Sequence, residues 1–464
     1  MRALPILAAA AAAAACGCVS VDEDARLAVE SLAAGNDAPA LKWSADLADD
    51  SFYSRNLGTV ESGRVNMLAG CYAEAERRFR EAVDSAVDRS ESSPKLKIGD
   101  AADTAMASTV TDDRTREYQL PPYELNLALE YAILAQAING KREDALVDSR
   151  LAVYVQDTLP ETYGEDMTKE PDGSSEASRK IVDEQNAVLD EMIAATRNSW
   201  ENPVLWWLTG VMFEADGQLD MAWQSYRKAK AISPDNAVFA ADAARAEKSV
   251  TPPPGKAKLV VLYDQGFVPQ RESLKVMVPI YTAFTVDIPK YPQSVFAYEN
   301  VSVSGTGGAG AAVPSLDVRS LAARDLKEQL PGIIVRNITR AAVQAGAQAA
   351  VNAAGNEYAQ IAVFAGNAIV SALRRADTRS WVTLPAAQHV WVDAAAEPGE
   401  KDIAISAGGR TIHAKVPLAP GETRILWVAS AGATARGASA PVGGRAAAAA
   451  TDLNGNALNG KEVK

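Results

Sequence analysis

Residues 214–236 of this 464-residue chain, EADGQLDMAWQSYRKAKAISPDN, contain the spacing that decides the fold of the chain's first half. The residues that carry it recur at helical intervals: Gly217, Ala222, Tyr226, Ala229 and Pro234. Residues three or four apart lie on one face of a helix, and a proline stops helical hydrogen bonding. The spacing therefore predicts a helix that follows a glycine turn and packs a ring and small side chains against a neighbouring helix.

The same intervals recur in residues 68–84, LAGCYAEAERRFREAVD, and in residues 137–153, AINGKREDALVDSRLAV. These segments resemble tetratricopeptide repeats, units of about 34 residues in which two helices meet at small residues and an aromatic ring fills the groove. Successive copies start roughly two repeat lengths apart, so degenerate copies or inserts are expected between them. The resemblance predicts these packing residues: Gly70, Tyr72, Ala75, Phe79, Ala82, Gly140, Ala145, Ala152, Trp206, Gly210, Gly217, Ala222, Tyr226, Ala229 and Pro234.

Residues 45–250 are therefore predicted to form an all-α repeat domain. A tetratricopeptide array presents a concave surface to peptides or protein segments, so the resemblance implies binding and not catalysis. A generic helical bundle with chance glycine and alanine spacing is the alternative.

The second half of the chain has the pattern of an α+β domain with a mainly antiparallel sheet. Three consecutive prolines predict a linker over residues 251–256, and β-branched and aromatic runs bounded by Pro, Gly and Asn follow it. The domain is predicted over residues 257–430. Ser315 or Asp317 is expected to start a helix that ends at Leu330. A longer Ala-rich helix is expected from Pro331 towards Arg375, broken at Gly355 into a long helical hairpin. Residues 431–464, rich in Ala and Gly, are predicted to be disordered.

The N-terminus resembles a bacterial lipoprotein signal. A basic start and an apolar run end in Ala13-Ala14-Ala15-Cys16, so residues 1–15 are interpreted as a signal peptide and Cys16, or else Cys18, as the lipidated residue. Residues 16–44 are interpreted as a lipidated tether. Because Gly17 and not Asp follows Cys16, the expected location is the periplasmic face of the outer membrane. The alternative is a plain signal peptide whose two cysteines stay free or form a disulfide.

Composition argues against several classes of function. A net charge of −13 disfavours nucleic acid, whose affinity for proteins comes from clustered Lys and Arg. With His389 and His413 as the only histidines and no cysteine cluster, we expect no metal site and no cofactor. GTGGAG at 305–310 fits a dinucleotide fingerprint by letter, but no helix is expected directly after it, so it is interpreted as a loop. With no GxSxG elbow, the chain is predicted not to be an enzyme.

The segment RRADTRSWVTLP, residues 374–385, is the most distinctive part of the second half. One interpretation is structural: Asp377 and Arg379 tie a helix end to the sheet while Trp381 fills a gap between layers. The other is an interaction surface formed by Arg375, Asp377, Arg379 and Trp381, because Arg and Trp are enriched in interface hot spots.

Three second-half segments, LYDQGFVPQRES, LAARDLKEQLPGIIVRNITRAA and ADTRSWVTLP, together with the signal and the repeats, resemble a family of uncharacterised bacterial envelope lipoproteins. The resemblance covers most of residues 16–430 and implies no catalytic residues. Relatives are often encoded beside lipoprotein activators of penicillin-binding proteins, which implies a role at the cell envelope.

These observations lead to three hypotheses of function. The first is a lipid-anchored periplasmic adaptor that binds envelope protein partners in envelope assembly or maintenance. The second is a peptidoglycan- or glycan-binding accessory protein that uses Tyr263, Tyr291 and Trp381 as exposed aromatics. The third is an export- or pore-associated subunit, suggested by the small-residue run at 340–373, although a soluble helical hairpin is the preferred interpretation of that run.

Overall fold

The computed structural model describes these residues: 20–49, 54–88, 94–96, 114, 116–163, 174–193, 196–248, 252–280, 282–293, 296–307, 309–353, 375–444 and 449–458. The fold is α+β, as predicted. Its helices are α1 (Ser20–Ala33), α2 (Asp37–Asp49), α3 (Arg55–Leu68), α4 (Tyr72–Ala86), α5 (Pro122–Ile138), α6 (Arg142–Tyr163), α7 (Glu176–Ile193), α8 (Pro203–Ala215), α9 (Leu219–Ile232), α10 (Ala237–Glu247) and α11 (Val318–Ala353).

Its strands are β1 (Val87–Asp88), β2 (Lys95–Leu96), β3 (Ala257–Gln265), β4 (Glu272–Ile280), β5 (Thr282–Lys290), β6 (Ser302–Ser304), β7 (Ala309–Ala311), β8 (Val313–Asp317), β9 (Ala387–Ala396), β10 (Gly399–Ala407), β11 (Arg410–Leu418), β12 (Thr423–Ala431), β13 (Thr434–Gly443) and β14 (Thr451–Asp452).

Three helix pairs, α3 with α4, α5 with α6 and α8 with α9, form antiparallel hairpins. Gly70, Gly140 and Gly217 lie at the three turns with φ of 80°, 75° and 80°, a conformation that only glycine adopts cheaply. The predicted packing side chains are buried: Tyr72, Ala75, Phe79, Ala82, Ala145, Ala152, Trp206, Ala222, Tyr226 and Ala229. Pro234 is exposed just beyond the end of α9.

Close contact between paired helices explains two further glycines. A Cβ atom on Gly210 would lie 2.6 Å from the Tyr226 ring, and one on Gly63 would lie 2.7 Å from the Phe79 ring. In these two hairpins the first helix therefore approaches an aromatic ring of the second through a position without a side chain.

Two sheets pack face to face in the second half. The six-stranded sheet has the order β14-β13-β12-β3-β9-β8, with β12 parallel to β3 and the other pairs antiparallel. The four-stranded sheet has the order β11-β10-β6-β7 and is antiparallel. Residues such as Val261, Trp391 and Ile403 form the core between them. The mainly antiparallel sheet is thus present.

The other face of the six-stranded sheet packs on the helices, in one continuous core. Trp427 of β12 and Trp381 belong to the same buried cluster as Phe79 and Tyr131 from the helical half. The linker after Pro252 therefore marks the change from helices to strands along the chain, but the two halves share a core.

The segment expected to be a tether is folded where it is described. α1 and α2 cover residues 20–33 and 37–49, and Ala28, Leu32 and Ala40 are buried in the shared core. Gly35, with φ of 84°, makes the short turn between the two helices. The tether prediction is therefore wrong for this part, because the apolar side chains of the two helices lie on one face and pack into the shared core.

The predicted disordered tail is also wrong for residues 431–444 and 449–458. β13 pairs with β12 along its length and β14 pairs with β13. Small residues allow this packing: a Cβ atom on Gly443 would lie 2.5 Å from the carbonyl oxygen of Ala215 in α8. Alanine and glycine here permit a close approach between sheet and helix.

The long helix α11 begins as predicted but does not break at Pro331. Asp317 caps it, since its Oδ1 accepts a hydrogen bond from the Ser320 amide at 3.0 Å. The helix then runs through Pro331 to Ala353. The second arm of the expected helical hairpin, with Gly355, lies outside the described residues. Within the described ranges, no helix has the length and apolar character needed to cross a membrane.

Candidate functional site

The segment at 375–384 contributes mainly to internal contacts. The Arg379 guanidinium binds Asp377 through Nε and Nη2, both at 2.8 Å, and donates to the Arg116 carbonyl at 3.0 Å. It also lies 5.6 Å from the ring centre of Tyr118. Arg375 is exposed and lines a separate cleft. The proposed interaction surface is therefore not one continuous patch, and Arg374 lies outside the described residues.

Trp381 lies fully buried between the helices and the sheet. Its ring centre is 6.0 Å from that of Phe79 and 6.3 Å from that of Tyr131. Its indole Nε1 donates to Thr383 Oγ1 at 3.0 Å. This is the gap-filling position that the structural interpretation of the motif predicts.

Carboxylates on the first helices of two hairpins bind the backbone of the same segment. The Trp381 amide donates to Glu124 of α5 at 3.0 Å, and the Val382 amide donates to Glu61 of α3 at 2.6 Å. The Thr383 amide also reaches Glu61, at 3.3 Å. Side chains of two helices therefore hold the backbone of residues 381–383 of the same chain.

A second contact of this kind centres on Asp264 at the end of β3. Its carboxylate accepts hydrogen bonds from Arg64 (2.9 Å), Tyr131 (3.0 Å), Trp427 (2.8 Å) and Gln388 (2.9 Å). The side chains of Arg64 and Asp264 are each 1% exposed. A buried ion pair with this many hydrogen bonds joins helix α3 to the sheet and is costly to break from one side.

A third contact joins helix α8 to β3. The Lys258 ammonium lies 2.8 Å from Glu214, which also accepts from Tyr226 at 2.7 Å and pairs with Arg245. Burial lowers the pKa of Lys258 to about 8. The helices α3, α5 and α8 thus each direct a buried carboxylate towards the second half of the chain.

Burial changes the ionisation of several groups in this interface. It raises the pKa of Glu61 to about 8 and that of Glu130 to about 8, and it also raises the pKa of Glu124. It lowers the pKa of His389 to about 4, so this imidazole is neutral at neutral pH. The side chains named here are fully buried, so a substrate has no access to them in this conformation. The arrangement is suited to holding the helices against the six-stranded sheet.

The sequence analysis did not predict that these ionisable residues are buried between the helices and the sheet, although the sequence contains a signal for it. Glu124 and Glu130 interrupt the run PYELNLALEYAILAQAI, which is otherwise almost entirely apolar, and Asp264 ends the apolar strand KLVVLYD. An ionisable residue inside such a run is buried with the apolar residues around it and needs a polar partner from elsewhere.

The aromatics expected to be exposed for glycan binding are buried. Tyr263, Tyr291 and Trp381 are 0%, 2% and 0% exposed, so that prediction is wrong. Tyr298 is different: it is 45% exposed and borders a cleft of about 480 Å³. Its hydroxyl donates to Asp317 at 2.8 Å, and Asn198, Asn236 and Glu201 contribute amide and carboxylate groups to the lining.

The remaining predicted features carry no site in the described residues. Among these residues no group of three metal-ligating side chains occurs. His413 pairs with Asp402 on the exposed face of the β10–β11 hairpin. The GTGGAG motif lies at the turn between β6 and β7, and a strand rather than a helix follows it. Cys16 and Cys18 lie outside the described residues.

Comparison with known proteins identifies no relative. No family model matches this chain, and no curated protein or solved structure matches it. The resemblance to envelope lipoproteins therefore stays a prediction.

Proposed function

We propose that this chain is a lipid-anchored periplasmic scaffold of the outer membrane, whose helical hairpins are degenerate tetratricopeptide repeats that bind the chain's own α+β half. Its outer surface would then bind an envelope protein in assembly or maintenance of the envelope. The observation that carries the proposal is the contact between Glu61, Glu124 and the backbone of residues 381–383.

The repeat assignment is supported by three hairpins whose turn glycines and buried small residues occur at matching intervals. It is also supported by the close contacts of Gly63 with Phe79 and of Gly210 with Tyr226. The proposal differs from the adaptor hypothesis in one respect. Because the inner helices α3, α5 and α8 are covered by the sheet, a partner must bind the outer helices or the edges of the molecule.

The membrane anchor is supported by the signal-like N-terminus and by its short distance from the folded body. Helix α1 begins at Ser20. An extended chain spans at most about 3.6 Å per residue, so Cys16 lies within roughly 14 Å of the helix and Cys18 within roughly 7 Å. A lipid on either cysteine would hold the body close to the bilayer.

Palmitate labelling tests the anchor. We expect labelling of the wild-type chain and of Cys18→Ser, and no labelling of Cys16→Ser. Labelling that survives Cys16→Ser assigns the lipid to Cys18, and labelling that is absent from the wild-type chain contradicts the anchor.

Site-specific crosslinking in intact cells tests the surface. Val147 lies on the outer helix α6 and is 53% exposed, so a photoreactive residue there should capture an envelope protein. Val147→Glu should abolish co-purification of that same protein, whereas Lys180→Glu on the solvent side of α7 should not. If the partner instead crosslinks to a probe at Trp381, the buried surface between the helices and the sheet must open. That result would refute the proposal that the hairpins bind the chain's own second half.

A second function is favoured by the cleft beside Tyr298. An exposed aromatic ring next to amides and carboxylates is an arrangement that binds sugars. Sedimentation with purified peptidoglycan tests it, with Tyr298→Ala expected to lose binding and Val147→Ala to keep it. Sedimentation of both variants at the wild-type level would exclude this cleft.

A further inference from the structure

A cleft of about 280 Å³ lies where four parts of the chain that are far apart in sequence meet. These parts are residues 116–122 before and at the start of α5, Arg271 before β4, one side of α11, and the segment that contains Asp377 and Arg379. On α11, Gln329, Ile333 and Arg336 follow one another at intervals of four and three residues, so they share one face of the helix. Folding therefore brings together side chains that no local spacing links.

The charged side chains around this cleft are mostly arginines. Its lining contains these four: Arg116, Arg271, Arg336 and Arg379. Among the residues that the structure describes, the carboxylates in the same lining are those of Glu117 and Asp377. The chain as a whole has the opposite balance, with 59 acidic and 46 basic residues. We call this site the arginine cleft.

Two of these guanidiniums are held in fixed positions. Arg271 is 7% exposed, and it donates from Nε to the Tyr291 hydroxyl at 3.0 Å and from Nη2 to Asp325 at 3.1 Å. Arg379, besides its ion pair, donates from Nη1 to the carbonyl oxygen of Arg116 at 3.0 Å. Donors that are already held in place lose little freedom when an anion binds to them.

The arginine cleft keeps a positive charge when its ion pairs among the described residues are counted. Asp325 pairs with Arg271, and Asp377 pairs with Arg379. With Glu117 added, three carboxylates stand against four guanidiniums. The first residues of α5 border the same space, so the positive end of that helix dipole lies at the cleft. A cleft with an excess of one charge concentrates counter-ions, so this cleft favours an anion.

We propose that the arginine cleft binds one phosphate group, either as free phosphate or as the headgroup of a lipid. The volume of about 280 Å³ is far above the roughly 30 Å³ of one water and below the roughly 300–1,000 Å³ of sites that enclose drug-sized ligands. A guanidinium presents parallel N–H donors that match two phosphate oxygens at once. The site goes beyond the proposed scaffold function, and its existence depends neither on the anchor nor on the repeat assignment.

Isothermal titration of the full chain with inorganic phosphate, at constant ionic strength, tests the site. We expect the wild-type chain to bind and Arg336→Gln and Arg116→Gln each to bind about tenfold more weakly, because each loses a hydrogen bond to a charged group. These two arginines lie on separate elements, so one variant remains informative if circular dichroism shows that the other is unfolded. Arg77→Gln removes an exposed arginine of α4 that does not line the cleft, and it should bind like the wild-type chain.

Sedimentation with phosphatidylcholine vesicles, with and without phosphatidic acid, separates the two sources of the phosphate group. Binding of free phosphate supports a soluble ligand. Binding only to the vesicles with phosphatidic acid, weakened by Arg336→Gln, supports a lipid headgroup. The proposal is overturned if the chain binds neither, if Arg77→Gln weakens binding as much as Arg336→Gln does, or if acetate binds as tightly as phosphate. The palmitate result for the anchor leaves the phosphate titration unaffected.

Discussion

The substitution Glu61→Gln should remove a pH dependence that the buried interface gives to the stability of the fold. Glu61 accepts hydrogen bonds from the Val382 and Thr383 amides and from the Thr383 hydroxyl. Burial is the largest influence on this carboxyl, and it raises the pKa from 4.5 to about 8. The folded protein therefore holds a proton on Glu61 at pH values where the unfolded chain has released it.

The sign and size of the effect follow from this difference. A raised pKa contributes stability that is fully present below pH 4.5 and is lost as the pH rises towards about 8. The slope for one such group is at most about 1.4 kcal/mol per pH unit, so raising the pH from about 5.5 to about 7.5 costs up to about 3 kcal/mol. Glu130, with a pKa of about 8 from the same cause, adds a second contribution.

Urea unfolding, followed by tryptophan fluorescence at pH 5.5, 6.5 and 7.5 and constant ionic strength, measures this dependence. The wild-type free energy of unfolding should fall across the series. Glu61→Gln should reduce the slope by up to about 1.4 kcal/mol per pH unit, and the double variant with Glu130→Gln should flatten it further. Glu184→Gln, on the exposed side of α7, is the matched control and should retain the wild-type slope.

Two results would refute the reasoning. The first is a wild-type free energy of unfolding that rises or stays constant from pH 5.5 to 7.5. The second is a Glu61→Gln slope equal to that of the Glu184→Gln control. The second result would mean that Glu61 is ionised in the folded protein or reached by water.

Three further changes test the packing. Trp381→Ala should lower the free energy of unfolding by about 3–5 kcal/mol in urea titration, because the indole fills the space beside Phe79; a loss below about 1 kcal/mol would contradict that position. Gly210→Ala places a methyl group against the Tyr226 ring, and thermal melting should show a loss of about 1–3 kcal/mol; an unchanged melting temperature would contradict that contact. Deletion of residues 431–464 exposes one side of β12 and should make the remaining chain sensitive to limited proteolysis, and a resistant fragment would contradict the sheet order.

Local patterns predicted local structure well. The turn glycines of the three hairpins were recognisable because the residues that define each turn are neighbours in the chain. The antiparallel strands of the second half were recognisable for the same reason.

Features that depend on distant partners were not predictable in this way. Glu61 and Val382 are 321 residues apart, and Arg64 and Asp264 are 200 residues apart, so no local spacing links them. Helix α1 was mistaken for a tether, and residues 434–443 were mistaken for part of a disordered tail. Each segment has too few large apolar side chains for its own sequence to indicate that it is buried. Their packing depends on each other and on the sheet.

The contact between α1 and the last strands also determines an order of events during biosynthesis. The carbonyl oxygen of Leu32 accepts a hydrogen bond from Arg436, a residue 404 positions later, and the carbonyl oxygen of Ala33 accepts one from the Ala433 amide. At about 5–20 residues per second, the ribosome needs roughly 20–80 s to make the intervening chain. Helix α1 therefore lacks its contacts with the last strands throughout that interval. Under the proposed anchor, a lipid would therefore be attached to the N-terminus before the fold closes over the helix beside it.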